Sequence, residues 1–214
     1  MSVEQSEEFG RIVESLLAQE FICQYKDEIA YDYLSSETYR DNVDRFLRKI
    51  GRCLRQTEDK STYYCAYLDI DSSTVRKHLS KEFKTTINEL EPLCRWLSLI
   101  MSATQRDAPI SPGDALRQGE ILSGIEHAAA LEEDLALIVR SGPFASKKDK
   151  VSDQLDHVLN ALNDQGYLHR SSPSSSIYIA TGKWSYLFEV LEFIHTHEEI
   201  ATSPLNDEKN GELW

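Results

Sequence analysis

The side chains best suited to chemistry in this sequence form a run of cations that could bind phosphate. They lie within residues 45–60 and are Arg45, Arg48, Lys49, Arg52, Arg55 and Lys60. No acidic residue stands between Asp44 and Glu58, although the whole chain has a formal charge of −13. Clustered lysine and arginine residues neutralise the phosphates of a nucleic acid backbone. The run therefore predicts a local contact site for duplex DNA, with these six residues as its candidate ligands.

The element expected to carry these cations is one amphipathic helix that extends to about residue 55. Its apolar side recurs at helical spacing and consists of Val43, Phe46, Leu47, Ile50 and Leu54. The opposite stripe is cationic and contains Arg45, Lys49 and Arg52. A capping box that begins at Thr38 predicts the start of the helix. Gly51, inside the predicted helix, indicates a bend or a close packing contact.

A hairpin is expected directly after this helix. Residues 55–61 are mostly polar, and residues 62–68 are rich in the aromatic and β-favouring side chains that are typical of a strand. The short apolar run at residues 21–25 could pair with this hairpin as a further strand. A helix followed by a two-stranded hairpin is the pattern of a winged-helix unit, a variant of the helix-turn-helix.

The second half of the chain repeats the order of helix and hairpin. Residues 151–162 have one apolar helical face, and Gly166 is expected to end that helix. Residues 167–170 and 177–180 are expected to form the two strands of a hairpin. The outer face of this second helix is expected to carry Asp153, Asp156, Asn160 and Asp164. Acidic residues repel phosphate at close range, so the two winged-helix units should differ in what they bind.

These patterns predict a mainly α fold with small β-hairpin wings, an α+β class built from tandem winged-helix domains. We place an N-terminal winged-helix domain at residues 1–104, a C-terminal one at residues 105–199, and an acidic flexible tail at residues 200–214. The first domain ends in a long helical extension, residues 74–103, in which Pro92 should start a second segment. Ser111, at the end of a polar linker, fits the cap of the next helix.

Charge is uneven along the chain and bears on its partners. Residues 1–104 contain 14 basic and 18 acidic residues, and residues 105–214 contain 9 and 18. A free-standing, high-affinity DNA-binding protein would usually be basic overall. The acidity therefore favours protein partners, with at most a local patch for nucleic acid. The cationic run could also pair with acids of a partner or of the second half, or be a solvated face.

Enzyme motifs are missing from the sequence. There is no phosphate-binding loop, nucleophile elbow, metalloprotease helix or dinucleotide fingerprint, so we predict a protein that is not an enzyme and needs no cofactor. The four cysteines lie far apart without a CxxC pair, which indicates reduced core thiols rather than a zinc site: Cys23, Cys53, Cys65 and Cys94. His195 and His197 could suggest a metal site, but no carboxylate or cysteine stands at a convincing third position, so we expect them at a solvated helix end. No membrane span or signal peptide is recognisable, which predicts a cytoplasmic location.

Three segments together resemble a known family. They are Phe-Ile-Cys-Gln-Tyr at residues 21–25, Tyr-Arg-Asp-Asn-Val-Asp-Arg-Phe-Leu-Arg-Lys-Ile-Gly-Arg at residues 39–52 and Ala-Thr-Gly-Lys-Trp-Ser-Tyr-Leu-Phe-Glu-Val-Leu at residues 180–191. The order of these segments and the chain length resemble the MksE branch of the MukE-like proteins, the tandem winged-helix "kite" subunits of bacterial condensin complexes. The resemblance extends over residues 8–197 and leaves out the tail.

This resemblance implies a non-catalytic subunit that forms a homodimer and binds the central region of an MksF-like kleisin. Together they would regulate an MksB-like SMC ATPase that entraps DNA on the nucleoid. Such complexes organise and segregate chromosomes, or restrict plasmids when a nuclease subunit accompanies them. The cationic run is where a DNA contact would be expected. An alternative from a different class is an autonomous winged-helix transcription regulator, which would bind duplex DNA with sequence specificity by itself.

Overall fold

The computed structural model describes the backbone of residues 3–69, 72–140 and 142–201, and their side chains except at residues 3–5, 74, 76, 78–87 and 197–201. Helices predominate in these ranges and are accompanied by two small three-stranded antiparallel sheets. The predicted α+β class with hairpin wings is confirmed. Beyond Ala201, the predicted tail lies outside the described residues.

The first half forms one winged-helix unit. Its elements are α1 (Val3–Leu17), β1 (Ile22–Cys23), α2 (Glu28–Ser35), α3 (Glu37–Arg48), β2 (Arg52–Gln56) and β3 (Thr62–Tyr67). The sheet order is β1-β3-β2, with Ile22 opposite Tyr63 and Leu54 opposite Cys65. The predicted hairpin and its short third strand are therefore confirmed. The helices and the sheet enclose a core that includes Ile12, Leu16, Leu34, Val43 and Leu47.

Helix α3 is shorter than the sequence predicts, and both of its predicted ends are wrong. It begins at Glu37 after Ser36, whose side chain makes no capping hydrogen bond, so the capping box at Thr38 is not used. It ends at Arg48, because Gly51 has a φ of +73°, in the left-handed region that a helix cannot continue through. The Gly51 carbonyl accepts a hydrogen bond from the Leu68 N–H at 3.0 Å, which closes the hairpin instead.

One uninterrupted helix, α4 (Ser73–Ala103), follows the first unit. The predicted helical region is confirmed, but the predicted restart at Pro92 is wrong, because Pro92 lies inside the helix. An interior proline costs about 3 kcal/mol. Leu93, Trp96 and Ile100 follow it and are almost completely buried, and burial of each large apolar side chain contributes about 1.5–3 kcal/mol, which is enough to offset that cost.

The second half repeats the winged-helix arrangement. Its elements are β4 (Ala115–Arg117), α5 (Gln118–Glu126), α6 (Ala129–Ile138), a 3-10 turn (Gly142–Phe144), α7 (Val151–Asp164), β5 (Leu168–His169), β6 (Ile177–Ala180) and α8 (Lys183–Ala201). The sheet order is β4-β6-β5. The helix start predicted at Ser111 is wrong. There the Ser111 N–H donates to Asp114 at 2.8 Å in a turn, and the chain continues as β4 because Leu116 pairs with Tyr178 on β6.

A second core lies within this half and includes the end of α4. Its fully buried side chains include Trp96, Ile100, Ile121, Ile125, Leu155, Leu159 and Trp184. Gly124 of α5 lies so close to α4 that a Cβ on it would be 2.0 Å from the Ala103 carbonyl oxygen. The end of α4 therefore packs with the second half, whereas the domain boundary after residue 104 stays a prediction.

Candidate nucleic-acid interface

Three of the predicted cations lie together at the end of α3. Arg45, Arg48 and Lys49 are all exposed, whereas Val43 and Leu47 of the same helix are buried in the first core. Arginines in the last turn of a helix are also favoured by its dipole. The structure therefore brings three cations to one exposed helix end.

Two of these cations already have partners within α3. The Arg48 Nε donates to Asp44 at 2.5 Å, and an Arg45 guanidinium nitrogen donates to the Asn42 side-chain oxygen at 3.1 Å. Asp44 also accepts the Leu54 N–H at 2.9 Å, which ties α3 to β2. Burial acts to raise the pKa of Asp44, but the hydrogen bonds from Arg48 and Leu54 lower it overall. Arg48 is therefore partly neutralised in the free protein.

Arg52 and Arg55 lie on β2, so the predicted cationic stripe on one continuous helix is wrong. Strand residues three positions apart face opposite sides of a sheet. Arg52 stacks on its cross-strand partner Tyr67, with 3.5 Å between the guanidinium carbon and the ring centroid. Arg55 is exposed and lies opposite Tyr64. The two arginines therefore cannot both contact a ligand that binds one face of the sheet.

Lys60 lies at the tip of the β2–β3 hairpin, far from the end of α3. A strand rises about 3.3 Å per residue, which puts this tip roughly 17 Å beyond Arg52. Lys60 has a φ of +60°, and its carbonyl accepts hydrogen bonds from Tyr31 at 2.7 Å and Gln56 at 3.1 Å. The six predicted ligands thus separate into four near the end of α3 and two elsewhere, namely Arg55 and Lys60.

The tip of this first wing is bound to α8 of the second half. The Glu58 N–H donates to a Glu189 carboxylate oxygen at 2.6 Å. The Ser185 hydroxyl donates to Asp59 at 2.5 Å and accepts from the Ser61 hydroxyl at 3.1 Å. The wing tip is therefore occupied by contacts within the chain.

Aromatic packing extends the same junction between the halves. Tyr186 of α8 packs against Phe21 and Tyr64, with ring centroid distances of 4.9 and 5.0 Å, and these two rings are 5.8 Å from each other. Gly182, just before α8, lies so close to the first sheet that a Cβ on it would be 2.5 Å from the Cβ of Thr62. A side chain at residue 182 would therefore push the two halves apart.

One lysine is largely buried at this junction. The Lys183 ammonium lies 4.4 Å from the ring centroid of Tyr167 and 5.4 Å from that of Phe21, and it donates to the Gln165 carbonyl at 2.7 Å. Burial lowers the pKa of Lys183 to about 8, against the attraction of Glu89, which raises it. The ammonium is therefore held between one ring from each half, and its burial outweighs these attractions in setting its pKa.

Helix α7 has a smaller acidic face than the sequence predicts. Asp153 and Asp164 are exposed. Asp156 and Asn160 are half-buried, because Asp156 accepts a hydrogen bond from Gln118 and Asn160 accepts one from the Tyr178 hydroxyl at 3.4 Å. Two of the four predicted outer residues therefore hold α7 to its neighbours.

Sequence analysis missed a second cluster of exposed cations, which we call the basic loop. It consists of Arg140, Lys147, Lys148 and Lys150, between α6 and α7. The signal was visible as three lysines within four positions, 147–150, just before a predicted recognition helix. These lysines lie in a loop and not on a helix face, so helical periodicity does not reveal them.

Other kinds of site have little support in the part of the chain that the structure describes. No three His, Cys, Asp or Glu side chains there are grouped to hold a metal ion. All four cysteines are free, with Cys23 and Cys53 buried and Cys65 and Cys94 half-buried. Burial raises the pKa of Cys65 and Cys94, which disfavours their reactive thiolate forms. Within the same ranges, the helices are too short or too polar to cross a membrane.

Comparison with known proteins identifies a family. Residues 7–191 match a protein-family model described as condensin complex protein MksE. This range takes in both winged-helix halves and the junction between them. No curated protein matches the chain.

Proposed function

The chain belongs to the MksE family of condensin complex proteins, and from this membership we propose that it is a non-catalytic subunit that binds the kleisin of its complex. Through an MksF-like kleisin it would help an MksB-like SMC ATPase to entrap DNA. The observation that carries this proposal is the family match across residues 7–191.

The junction between the halves supports a role as a rigid adaptor. Hydrogen bonds from Ser185 and Glu58, together with the packing of Tyr186, hold the two winged-helix units to one another. A subunit that positions other subunits needs surfaces at fixed separation, because interactions that require ordering of mobile parts lose affinity. The paired halves offer such surfaces to a kleisin.

We propose that this subunit contacts DNA directly through the end of α3. What supports this is the exposure of Arg45 and Lys49, with Arg48 and Arg52 beside them. The support is weaker for Arg55, on the other face of the sheet from Arg52, and for Lys60, at the occupied wing tip. Four cations are enough for a weak contact that becomes effective when other subunits hold the DNA nearby.

We further propose that the protein is a homodimer. Three large apolar side chains near the end of the first sheet support this, since Phe46, Ile50 and Leu68 are 38%, 50% and 45% exposed. Ile50 and Leu68 flank Gly51, whose carbonyl bonds to the Leu68 N–H, so two of them are neighbours. Clustered exposed apolar side chains are typical of protein interfaces.

In the cell, we propose a cytoplasmic, nucleoid-associated complex that organises and segregates chromosomes, or one that restricts plasmids if a nuclease accompanies it. Affinity purification of the tagged full-length chain from its native cell, with mass spectrometry of the bound proteins, tests the proposal. We expect a kleisin and a long coiled-coil ATPase to be recovered, and an accompanying nuclease would indicate plasmid restriction. Recovery of the chain alone, or with RNA polymerase, would contradict the proposal.

A further inference from the structure

The basic loop is held in a fixed conformation although it joins two helices. The Ser146 N–H donates to the Val139 carbonyl at 2.9 Å, which brings Lys147 close to Arg140. The Gln154 side chain is buried and donates to the Lys148 carbonyl at 2.8 Å, while Phe144 is completely buried. The cations of the loop are therefore displayed on an ordered backbone.

These cations have no acidic partner among the residues that the structure describes. Arg140, Lys147, Lys148 and Lys150 are exposed, and none of them takes part in an ion pair with a described side chain. The nearest acids in the sequence are Asp149 and Asp153, so cations exceed acids two to one. This surplus is unusual in the second half of the chain, where acidic residues outnumber basic ones 18 to 9.

The position of Lys150 also runs against the preference of α7 itself. Lys150 is the N-cap of this helix, and its side chain makes no capping hydrogen bond. Helix starts prefer oxygen-bearing side chains and negative charge, and a misplaced charge costs about 0.3–1 kcal/mol. Helices α3 and α7 both have an acidic residue in the first turn, Glu37 and Asp153, but of these two helices α7 alone has a cation at its N-cap. Residues that oppose a local preference without compensating contacts are often functional.

From these observations we propose that the basic loop is a second DNA-backbone site, separate from the end of α3. It precedes α7, which occupies the place of the recognition helix in the second winged-helix unit, and helix-turn-helix proteins contact DNA with the start of that helix. Lys148 and Lys150 are two positions apart and both exposed, so both side chains are available to the backbone of one duplex.

Duplex DNA fits this loop better than an acidic protein segment does. Lysine is depleted in protein interfaces, whose centres are rich in aromatic and apolar side chains. The loop offers no such centre, because its one large apolar side chain, Phe144, is completely buried. The inference rests on the proposed function only in its choice of DNA as the polyanion.

The test is binding of the purified full-length chain to a short fluorescent duplex at several salt concentrations. Replacing Lys147, Lys148 and Lys150 with Glu should weaken binding and reduce the salt slope by about 2.7 in log–log terms, as expected for three lost phosphate contacts. A variant with Lys77, Arg95 and Arg117 replaced by Glu is the matched control. Its net charge is identical, and its substitutions lie on α4 and β4, outside both basic surfaces.

Each outcome decides the inference. Weaker DNA binding by the loop variant but not by the control variant, with unchanged unfolding midpoints, supports the proposed DNA site. Equal binding by the loop and control variants, or no binding by the wild-type chain at low salt, overturns it. Unchanged DNA binding with loss of a co-purifying protein would also overturn it and assign the loop to a protein partner. Whether the wild-type chain recovers a kleisin is scored separately, so failure of the proposed function is distinguishable.

Discussion

The Ser185 hydroxyl on α8 donates a hydrogen bond of 2.5 Å to the Asp59 carboxylate at the tip of the first wing. The two residues are 126 positions apart, and they join the two winged-helix units at the point where a free wing would be expected. In a winged-helix protein that reads DNA alone, the wing is available to the duplex. Here the first wing is part of the scaffold, and the exposed cations Arg45, Arg48 and Lys49 lie at the end of α3, away from its tip.

Replacing Ser185 with Ala should lower the free energy of unfolding by about 1 kcal/mol. Hydrogen bonds to a charged group contribute more than neutral ones, but much of the Asp59 carboxylate is accessible to water, which reduces the effect. Urea unfolding of the wild type and the Ser185→Ala variant measures this difference in the free energy of unfolding. Thr196→Ala on the same helix is the control, since that hydroxyl donates to the Glu192 carbonyl of its own turn and makes no described bond to the first half. Equal stability of the Ser185 and Thr196 variants would contradict a role for this bond.

The stabilisation that this contact provides should be lost at acid pH. Burial acts to raise the pKa of Asp59, but hydrogen bonds from Ser185, Ser61 and Thr57 lower it overall. A lowered folded-state pKa means that the stabilisation is complete above the ordinary Asp pKa of about 4 and is lost as pH falls through the lower folded value. Urea unfolding between pH 7 and pH 3 should therefore show a shallower acid loss in Asp59→Asn than in the wild type. Identical acid profiles would contradict this.

Local patterns predicted most of the elements, whereas long-range contacts decided the site. Helix and hairpin order follows from apolar periodicity, which is a local property. The end of α3 was misplaced because Ile50 and Leu54 continue the helical spacing by coincidence, and only pairing with β3 makes residues 52–56 a strand. The bond between Asp59 and Ser185 has no local signature at all. Sequence therefore indicated which residues are cationic but not which of them share a surface.

Replacing Gly182 with Ala should destabilise the protein by about 1–3 kcal/mol through overpacking at the junction. The added Cβ would lie 2.5 Å from the Cβ of Thr62 and 3.0 Å from the Ser61 carbonyl oxygen, so a strand or α8 must move. Gly10→Ala is the matched control, because nothing lies within 4 Å of a Cβ there. In the interior of α1, that change should be stabilising by up to about 1 kcal/mol. Denaturant unfolding of both variants distinguishes steric contact from a general preference for alanine.

Lys183 should make stability rise with pH over an alkaline window. Its pKa is lowered by burial to about 8, below the ordinary lysine value of about 10.4, so the unfolded chain binds more protons between these values. The contribution of Lys183 to the free energy of unfolding should consequently increase by about 2 kcal/mol from pH 8 to pH 10. The thiols of Cys65 and Cys94 act in the opposite direction, because burial raises their pKa.

Comparison with Lys183→Met isolates that effect, because the cysteines are common to both proteins. The difference in unfolding free energy between the wild type and the variant should change with pH over this window and be constant below it. A difference that does not depend on pH would show that Lys183 titrates normally. The tyrosines, whose ordinary pKa is about 10, are likewise common to both proteins.

The end of α3 offers the most direct test of DNA contact by the first unit. Arg45 and Lys49 are the best residues to replace, since Arg48 pairs with Asp44 and Arg52 packs on Tyr67, so changes there would also disturb the fold. Replacing both with Glu should reduce the salt slope of duplex binding by about 1.8, the value for two phosphate contacts. Anisotropy titrations of the free chain, and of the assembled complex once its partners are purified, measure this slope.

The control for this last test is the pair Lys77→Glu and Arg117→Glu, which changes the net charge equally on exposed residues of α4 and β4. If the α3 pair contacts phosphate, its variant loses affinity most at low salt and converges with the wild type at high salt, because the lost contribution is counterion release. Parallel salt curves for the α3 variant and the wild type would assign these cations to solvent or to a protein partner. Combining this variant with the basic-loop variant should reduce the slope additively, since the two surfaces lie on different winged-helix units and share no partner among the described contacts.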